Sequence, residues 1–140
     1  MNTQYAVNKY TTAEMTYGNP IRTIITVYDV IIKLLYKAKK SIDEKDIANK
    51  CMSIQKASEL TEALRENLDL DNGGKVAEIL DDFYLGLFYK LHDLIIKNHG
   101  HSEIDEILDT IKKIQVKWQD ALNLSYVLPD EDKKTDIGKF

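Results

Sequence analysis

The side chains of this chain that could do chemistry are few. They are His92, His99 and His101, a single cysteine, Cys51, and a run of carboxylates in the middle of the sequence. A metal centre inside a helical bundle takes Glu-x-x-His from two helices and a further Glu from each of the others. The residues three positions before the histidines are Tyr89, Ile96 and Asn98, so that pattern is missing. His99 and His101 flank Gly100 in what reads as a solvated turn, with no HExxH or Cys-x-x-Cys beside them. Cys51 would need a histidine in a polar cleft to act as a nucleophile. It falls instead in an apolar repeat and reads as a small core residue, and a lone cysteine suits a reducing compartment. Gly73–Gly74 lacks the GxxxxGK[ST] context of a phosphate loop and reads as a helix stop. The expectation is a protein that is not an enzyme and holds no metal or cofactor.

The carboxylates Glu59, Glu62, Glu66, Asp69, Asp71, Glu78, Asp81 and Asp82 are set against Arg65 and Lys75 alone. A solvated face is the ordinary reading, and a docking patch for a basic partner is the alternative. A net charge of −4 argues against a nucleic-acid binder, which needs a basic stripe to displace counterions. Residues 1–18 carry no continuous apolar run of the signal-peptide kind. Asp29 and Lys33 interrupt the longest apolar stretch, so no membrane insertion is expected. A cytoplasmic location follows from these readings as an expectation.

The elements that must position any site begin with NPIRTIITVYDVIIKLLYKAKK, residues 19–40. Asn19 is a good N-cap and Pro20 suits the first helical position. Ile21, Ile24, Ile25, Tyr28, Ile31, Ile32 and Leu35 recur at spacings of three and four, which predicts a helix with one buried stripe. Val27, Val30 and Leu34 add a second stripe, so this helix must be covered on more than one side. A second helix is expected from about Asp43 to Asn67, burying Ile47, Cys51, Ile54, Ala57, Leu60, Leu64 and Leu68. The reversal DLDNGG offers Asn72, Gly73 and Gly74 for positive φ. A third helix to about Asn98 has its seam at Val76, Ile79, Leu80, Phe83, Leu87, Leu91, Leu94 and Ile95, with Tyr84 and Phe88 off the main line. Ser102 would cap a fourth, burying Ile104, Ile107, Leu108, Ile111, Ile114, Trp118 and Leu122.

Helices of this length joined by short turns pack antiparallel. The expected fold is all-α, an up-down four-helix bundle over residues 19–124, with a mobile N-terminal arm over 1–18 and a polar C-terminal tail over 125–140. Tyr5, Tyr10 and Tyr17 make that arm rich in aromatics, suited to cover one end of the bundle or to dock in an apolar groove. The surplus apolar surface of the first and third helices has two readings: ordinary core, or a groove for another apolar helix. Ile24, Val27, Tyr28, Ile31, Tyr84 and Phe88 are the candidate groove residues.

The order of motifs carries a resemblance. A tyrosine-bearing arm precedes Asn19-Pro20, then Val27-Tyr28-Asp29, Ala38, the Lys-Asp-Ile of 45–47, Leu-Asp-Asn-Gly-Gly and Trp118. This resembles the flagellar export chaperones of the FliS type from about Tyr5 to Leu122. Asn19 replaces the family's usual Ser, Val27 its Leu, and Val30 a common Gly, where added bulk would reshape the neighbouring groove. The resemblance implies a cytoplasmic bundle that binds the C-terminal segment of flagellin, prevents its premature polymerisation and delivers it to the flagellar type III export machinery. It also implies that the N-terminal arm, through Tyr5 and Tyr10, caps part of the client groove. A homodimer of the client-free protein stays open. So do two other classes: an adaptor binding through the acidic face, and a small bundle enzyme or metal carrier using His92, His99 or His101.

Overall fold

Asn19 opens the first helix in the way its residue type predicts. Its side-chain oxygen accepts from the Ile21 N–H at 2.8 Å and Pro20 occupies the first turn, so α1 runs Pro20–Asp43. Behind it come α2 (Ile47–Glu66), α3 (Gly74–Ile96) and α4 (His101–Val127). The computed structural model describes residues 19–97 and 99–127. The arm with Tyr5 and Tyr10, and the tail beyond residue 127, lie outside the described residues.

Each reversal has a local cause. After α1, Lys45 takes φ 58°, the left-handed position that usually falls to glycine, while Asp46 N–H reaches back to the Ser41 carbonyl at 2.8 Å. Asp46 then caps α2 by accepting from Asn49 N–H at 3.1 Å. Before α3, of the residues offered for positive φ, Gly74 takes it, at 62°. The approach to α4 is close-packed at Gly100. A Cβ at Gly100 would stand 2.6 Å from Leu94 Cδ2, and the Gly100 carbonyl accepts the first helical bond, from Ile104.

The helices form an all-α, antiparallel up-down bundle. α1 packs on α2 and α4, and α2 packs on α3, whereas α3 and α4 approach each other far less closely. Ile21, Val27, Tyr28, Ile31 and Leu35 of α1 meet Ile54, Ala57 and Leu60 of α2, Leu80, Leu87, Leu91 and Leu94 of α3, and Ile104, Ile107, Ile111 and Trp118 of α4 in one core. At its centre the Tyr28 and Tyr84 hydroxyls lie 2.8 Å apart, and Trp118 Nε1 donates to Tyr28 at 3.2 Å. Lys50, a buried lysine, donates to the Lys97 carbonyl just past α3, where the helix dipole favours a cation. No helix among the described residues is long and apolar enough to cross a membrane.

Several sequence expectations are corrected. The buried line of α3 is Ala77, Leu80, Tyr84, Leu87, Leu91 and Leu94. Val76 and Ile79 are exposed and Tyr84 is core, so the buried face is rotated from the expected seam. α2 begins at Ile47, which is itself exposed, because Asp46 and not Asp43 supplies the cap. Ser102 lies inside α4, since the chain is already helical at His101. α4 also runs three residues past the expected boundary at 124, because Ser125 is buried and donates to the Leu122 carbonyl at 2.6 Å.

Candidate docking groove

The two sides of α4 are built differently. Toward α1, polar clamps climb the seam from end to end. Asp43 meets His101 at 2.9 Å, Lys39 meets Asp105 at 2.6 Å, and Lys112 reaches the Tyr36 hydroxyl. Higher up, Gln115 donates to Asp29 at 2.7 Å, Arg22 reaches the Tyr126 hydroxyl, and Asn19 Nδ2 donates to Ser125 at 2.7 Å. Toward α3, the seam is an open groove of about 620 Å³.

Its floor is apolar: Phe83, Leu87 and Leu94 from α3, Ile107 and Ile111 from α4. Its rims are polar, with Asp82, Lys90 and Asp93 on one wall and Glu103, Glu106, Asp109 and Thr110 on the other. The ion pairs of these rims stay on one wall, as Asp93–Lys97 and Asp109–Lys113, or close the turn, as Lys97–Glu103. The Glu103 carboxyl is held below its usual range, first by its own backbone N–H at the start of α4 and then by Lys97. Gly86 sits in the α3 wall, exposed, and a Cβ there would meet nothing within 4 Å. A mid-helix glycine costs roughly 1 kcal/mol relative to alanine, and no packing inside this bundle requires it.

The register carries the groove further. Val76, Ile79, Phe83, Gly86 and Lys90 fall at spacings of three and four on one face of α3. Ile79 is 57% exposed there, so the apolar stripe extends beyond the pocket toward the start of the helix. On α4 the equivalent line runs Ile107, Thr110, Ile114, Ala121 and Leu124, ending in an exposed leucine.

The structure separates the six candidate groove residues. Val27, Tyr28, Ile31 and Tyr84 are buried between helices, with Tyr84 only 2% exposed. Burial pushes the Tyr28 hydroxyl up, offset in part by hydrogen bonds from Tyr84 and Trp118, and pushes Tyr84 well above the usual tyrosine range. Ile24 and Phe88 are half-buried. Phe88 faces away from the groove, stacking on His92 at 4.2 Å, which in turn meets Ser58 of α2 at 3.1 Å. The groove therefore gathers residues that periodicity placed in the core or passed over, Phe83, Gly86, Ile107 and Ile111 among them. Gly86 was the available signal, a glycine inside a strongly apolar helix.

Other candidate chemistry is dispersed. Among the described residues no group of three or more histidine, cysteine or carboxylate side chains is placed to hold a metal. Cys51 is half-buried against the Ile95 carbonyl at 3.8 Å. In the acidic region Arg65 stands between Glu62, at 3.5 Å, and Asp81, at 2.8 Å, so part of that face is neutralised internally. The arrangement is suited to holding a partner.

Comparison with known proteins agrees on one family. The family model described as Flagellar protein FliS matches residues 1–125. The flagellar secretion chaperone FliS of Campylobacter jejuni subsp. jejuni is 24% identical over 123 residues, covering 88% of this chain and 95% of the relative. The flagellar secretion chaperone FliSB of Pseudomonas aeruginosa is 27% identical over 106 residues, covering 76% and 83%. No solved structure matches the chain significantly.

Proposed function

The chain belongs to the FliS family of flagellar proteins, and from that membership we propose that it is a flagellar export chaperone whose client is flagellin. It acts in the cytoplasm, holds the client's C-terminal segment, keeps it from polymerising and passes it to the type III export machinery. The observation that carries this reading is the unclosed α3/α4 seam, an apolar floor between polar rims on a bundle whose other long seam is laced shut. A polymer-forming apolar helix needs a soluble mask, and a groove of this kind is one. The action is steric and hydrophobic, without turnover or cofactor. Burying several large side chains at roughly 1.5–3 kcal/mol each supports tight binding once the ordering costs are met.

Tyr5 and Tyr10 act in this reading as a self-capping arm that competes with the client. Deleting residues 2–17 then raises client affinity or aggregation, and unchanged values for both remove the capping role. Ile24 and Phe88, half-buried, remain candidate contacts at the rim of the bundle, while Val27, Tyr28, Ile31 and Tyr84 support the client's site from within the core. Without client, the exposed groove is also the surface on which two copies would pair.

The test is a calorimetric titration with a peptide of roughly the last forty residues of flagellin from the same source, where saturable binding with a negative heat-capacity change marks apolar burial. No binding to the peptide or to full-length unfolded flagellin would overturn the reading. An adaptor using the acidic face would then lead. High salt distinguishes the two, weakening a charged complex and sparing an apolar one.

A further inference from the structure

We infer that the α1/α2 face of the bundle, on the side away from the α3/α4 groove, docks on an anionic lipid surface through Lys33, Lys37, Lys40, Lys45 and Lys56. The inference goes beyond the chaperone reading and does not depend on it.

The helices differ in charge. α1 carries Arg22, Lys33, Lys37, Lys39 and Lys40 against Asp29 and Asp43, whereas acidic residues outnumber basic ones on both α3 and α4. Lys33, Lys37 and Lys40 are exposed at spacings of four and three, so they share the outward side of α1. On α2, Cys51, Ser58 and Arg65 turn to α3. Exposed Lys56 lies roughly half a turn away from them, in line with Asn49, Met52 and, in the preceding turn, Lys45. That shoulder borders α1, the other helix on which α2 packs, and the face the two helices make looks away from the groove.

Among the described residues no carboxylate lies within ion-pair distance of Lys33, Lys37, Lys45 or Lys56. Lys40 meets Glu44 at 3.9 Å, with both side chains well exposed. Other acids nearby are engaged: Asp29 by Gln115, Asp43 by His101 and Asp46 by the cap of α2. Glu59 stands at the edge, a turn past Lys56. The acidic reversal after α2 is about 30 Å from Lys45 along the helix, several Debye lengths at physiological salt.

A bilayer suits this face better than other anions. The lysines spread over two neighbouring helices, not along a groove that could follow a nucleic-acid strand. Tyr36, the aromatic ring of this stretch of α1, is held by Lys112 of α4 and leaves no platform for a base. A protein partner would grip an aromatic or arginine anchor, and the exposed apolar side chain here is Met52, at 51%. Flexible lysine stems let each ammonium reach a headgroup independently. A molecule held this way turns its α3/α4 groove to the water.

The test is co-sedimentation of the full chain with vesicles of mixed phosphatidylglycerol and phosphatidylcholine, and with phosphatidylcholine alone, across a salt series. Binding is expected to the anionic vesicles only, and it should fall away as salt rises. Lys33→Glu with Lys37→Glu should weaken it at least about tenfold, since each lysine near the surface favours binding about fivefold. Both side chains are exposed, so the thermal midpoint should hardly move. Lys75→Glu with Lys117→Glu makes the same change in net charge on α3 and α4 and should leave binding within about twofold. Absence of binding to anionic vesicles overturns the inference. So does equal binding to phosphatidylcholine, the mark of apolar adsorption, or an equal loss in the two double variants, which makes net charge the cause. Tighter binding to single-stranded RNA that Lys33→Glu with Lys37→Glu abolishes would give the face to nucleic acid. A salt-sensitive dimer that the same variant dissociates would give it to a second copy, and either result overturns the lipid assignment. The flagellin titration reads the opposite side of the bundle, so the chaperone reading stands or falls separately.

Discussion

The two flanks of α4 are made from similar sequence and end in opposite states. Both present an isoleucine- and leucine-rich line, yet the α1 flank is sealed by paired side chains from Asp43–His101 up to Asn19–Ser125, and the α3 flank stands open. The difference lies in what crosses the gap. On the closed side six polar side chains of α1 and its cap find partners on α4. On the open side the rim charges pair along their own wall or at the turn, so nothing polar draws the walls together. Gly100 pinches the two helices at Leu94, and Gly86 leaves the wall low beyond. A bundle can thus be stable and still keep one seam in reserve.

The comparison breaks most visibly at Trp118. It is buried and hydrogen-bonded to Tyr28, so Trp118→Ala should destabilise by about 3–5 kcal/mol, read as a lower denaturation midpoint in urea. Tyr28→Phe is the next largest. It strips the Trp118 N–H and the Tyr84 hydroxyl of a shared partner at a cost of about 1–3 kcal/mol. The same residues set an alkaline limit. Because the folded state raises both tyrosines above the usual value of 10.0, their contribution is fully present below that pH and is lost as pH rises through the folded values. Thermal midpoints of wild type should fall above about pH 10, with the phenolate absorbance of two of the eight tyrosines appearing only as the protein unfolds. All eight tyrosines ionising while the fold stays intact would contradict the buried pair.

The two glycines sharpen the contrast by sign. Gly86→Ala on the open wall should stabilise by about 0.5–1 kcal/mol, since helix propensity improves and nothing is struck. Gly100→Ala should destabilise by about 1 kcal/mol or more, because Leu94 must give way. Equal shifts at the two sites in thermal scans would erase the difference between pinch and opening. Similar in size to the Gly86 effect is Lys45→Gly, in the turn between α1 and α2. It relieves a left-handed lysine and should raise stability by about 0.5–1 kcal/mol in the same scans.

Much of this bundle was legible before any coordinates. The Asn19–Pro20 start, the four helices, the reversal at Gly74 and the buried run of α4 follow from cap chemistry and 3.6-residue periodicity. The phase of α3 did not, for a specific reason. Val76, Ile79 and Phe83 form one apolar line and Ala77, Leu80 and Tyr84 another, and the bulkier line reads as core. Small Ala77 and the hydroxyl of Tyr84, which needs Tyr28 to be satisfied, mark the true face only once the neighbours are known. The groove was hidden by the same ambiguity. Periodicity reports that a stripe is apolar, not whether a helix of the same chain covers it.

The link between Asn19 and Ser125 joins residues 106 apart in sequence. On the ribosome, then, α1 is the first of the described helices to be made and the last of them to be fully covered. Its flank toward α4 stays bare until nearly the whole chain has emerged, whereas α2 and α3 can pack as soon as each follows. Of the contacts between the described helices, that closure spans the longest stretch of chain and so carries the largest loop entropy.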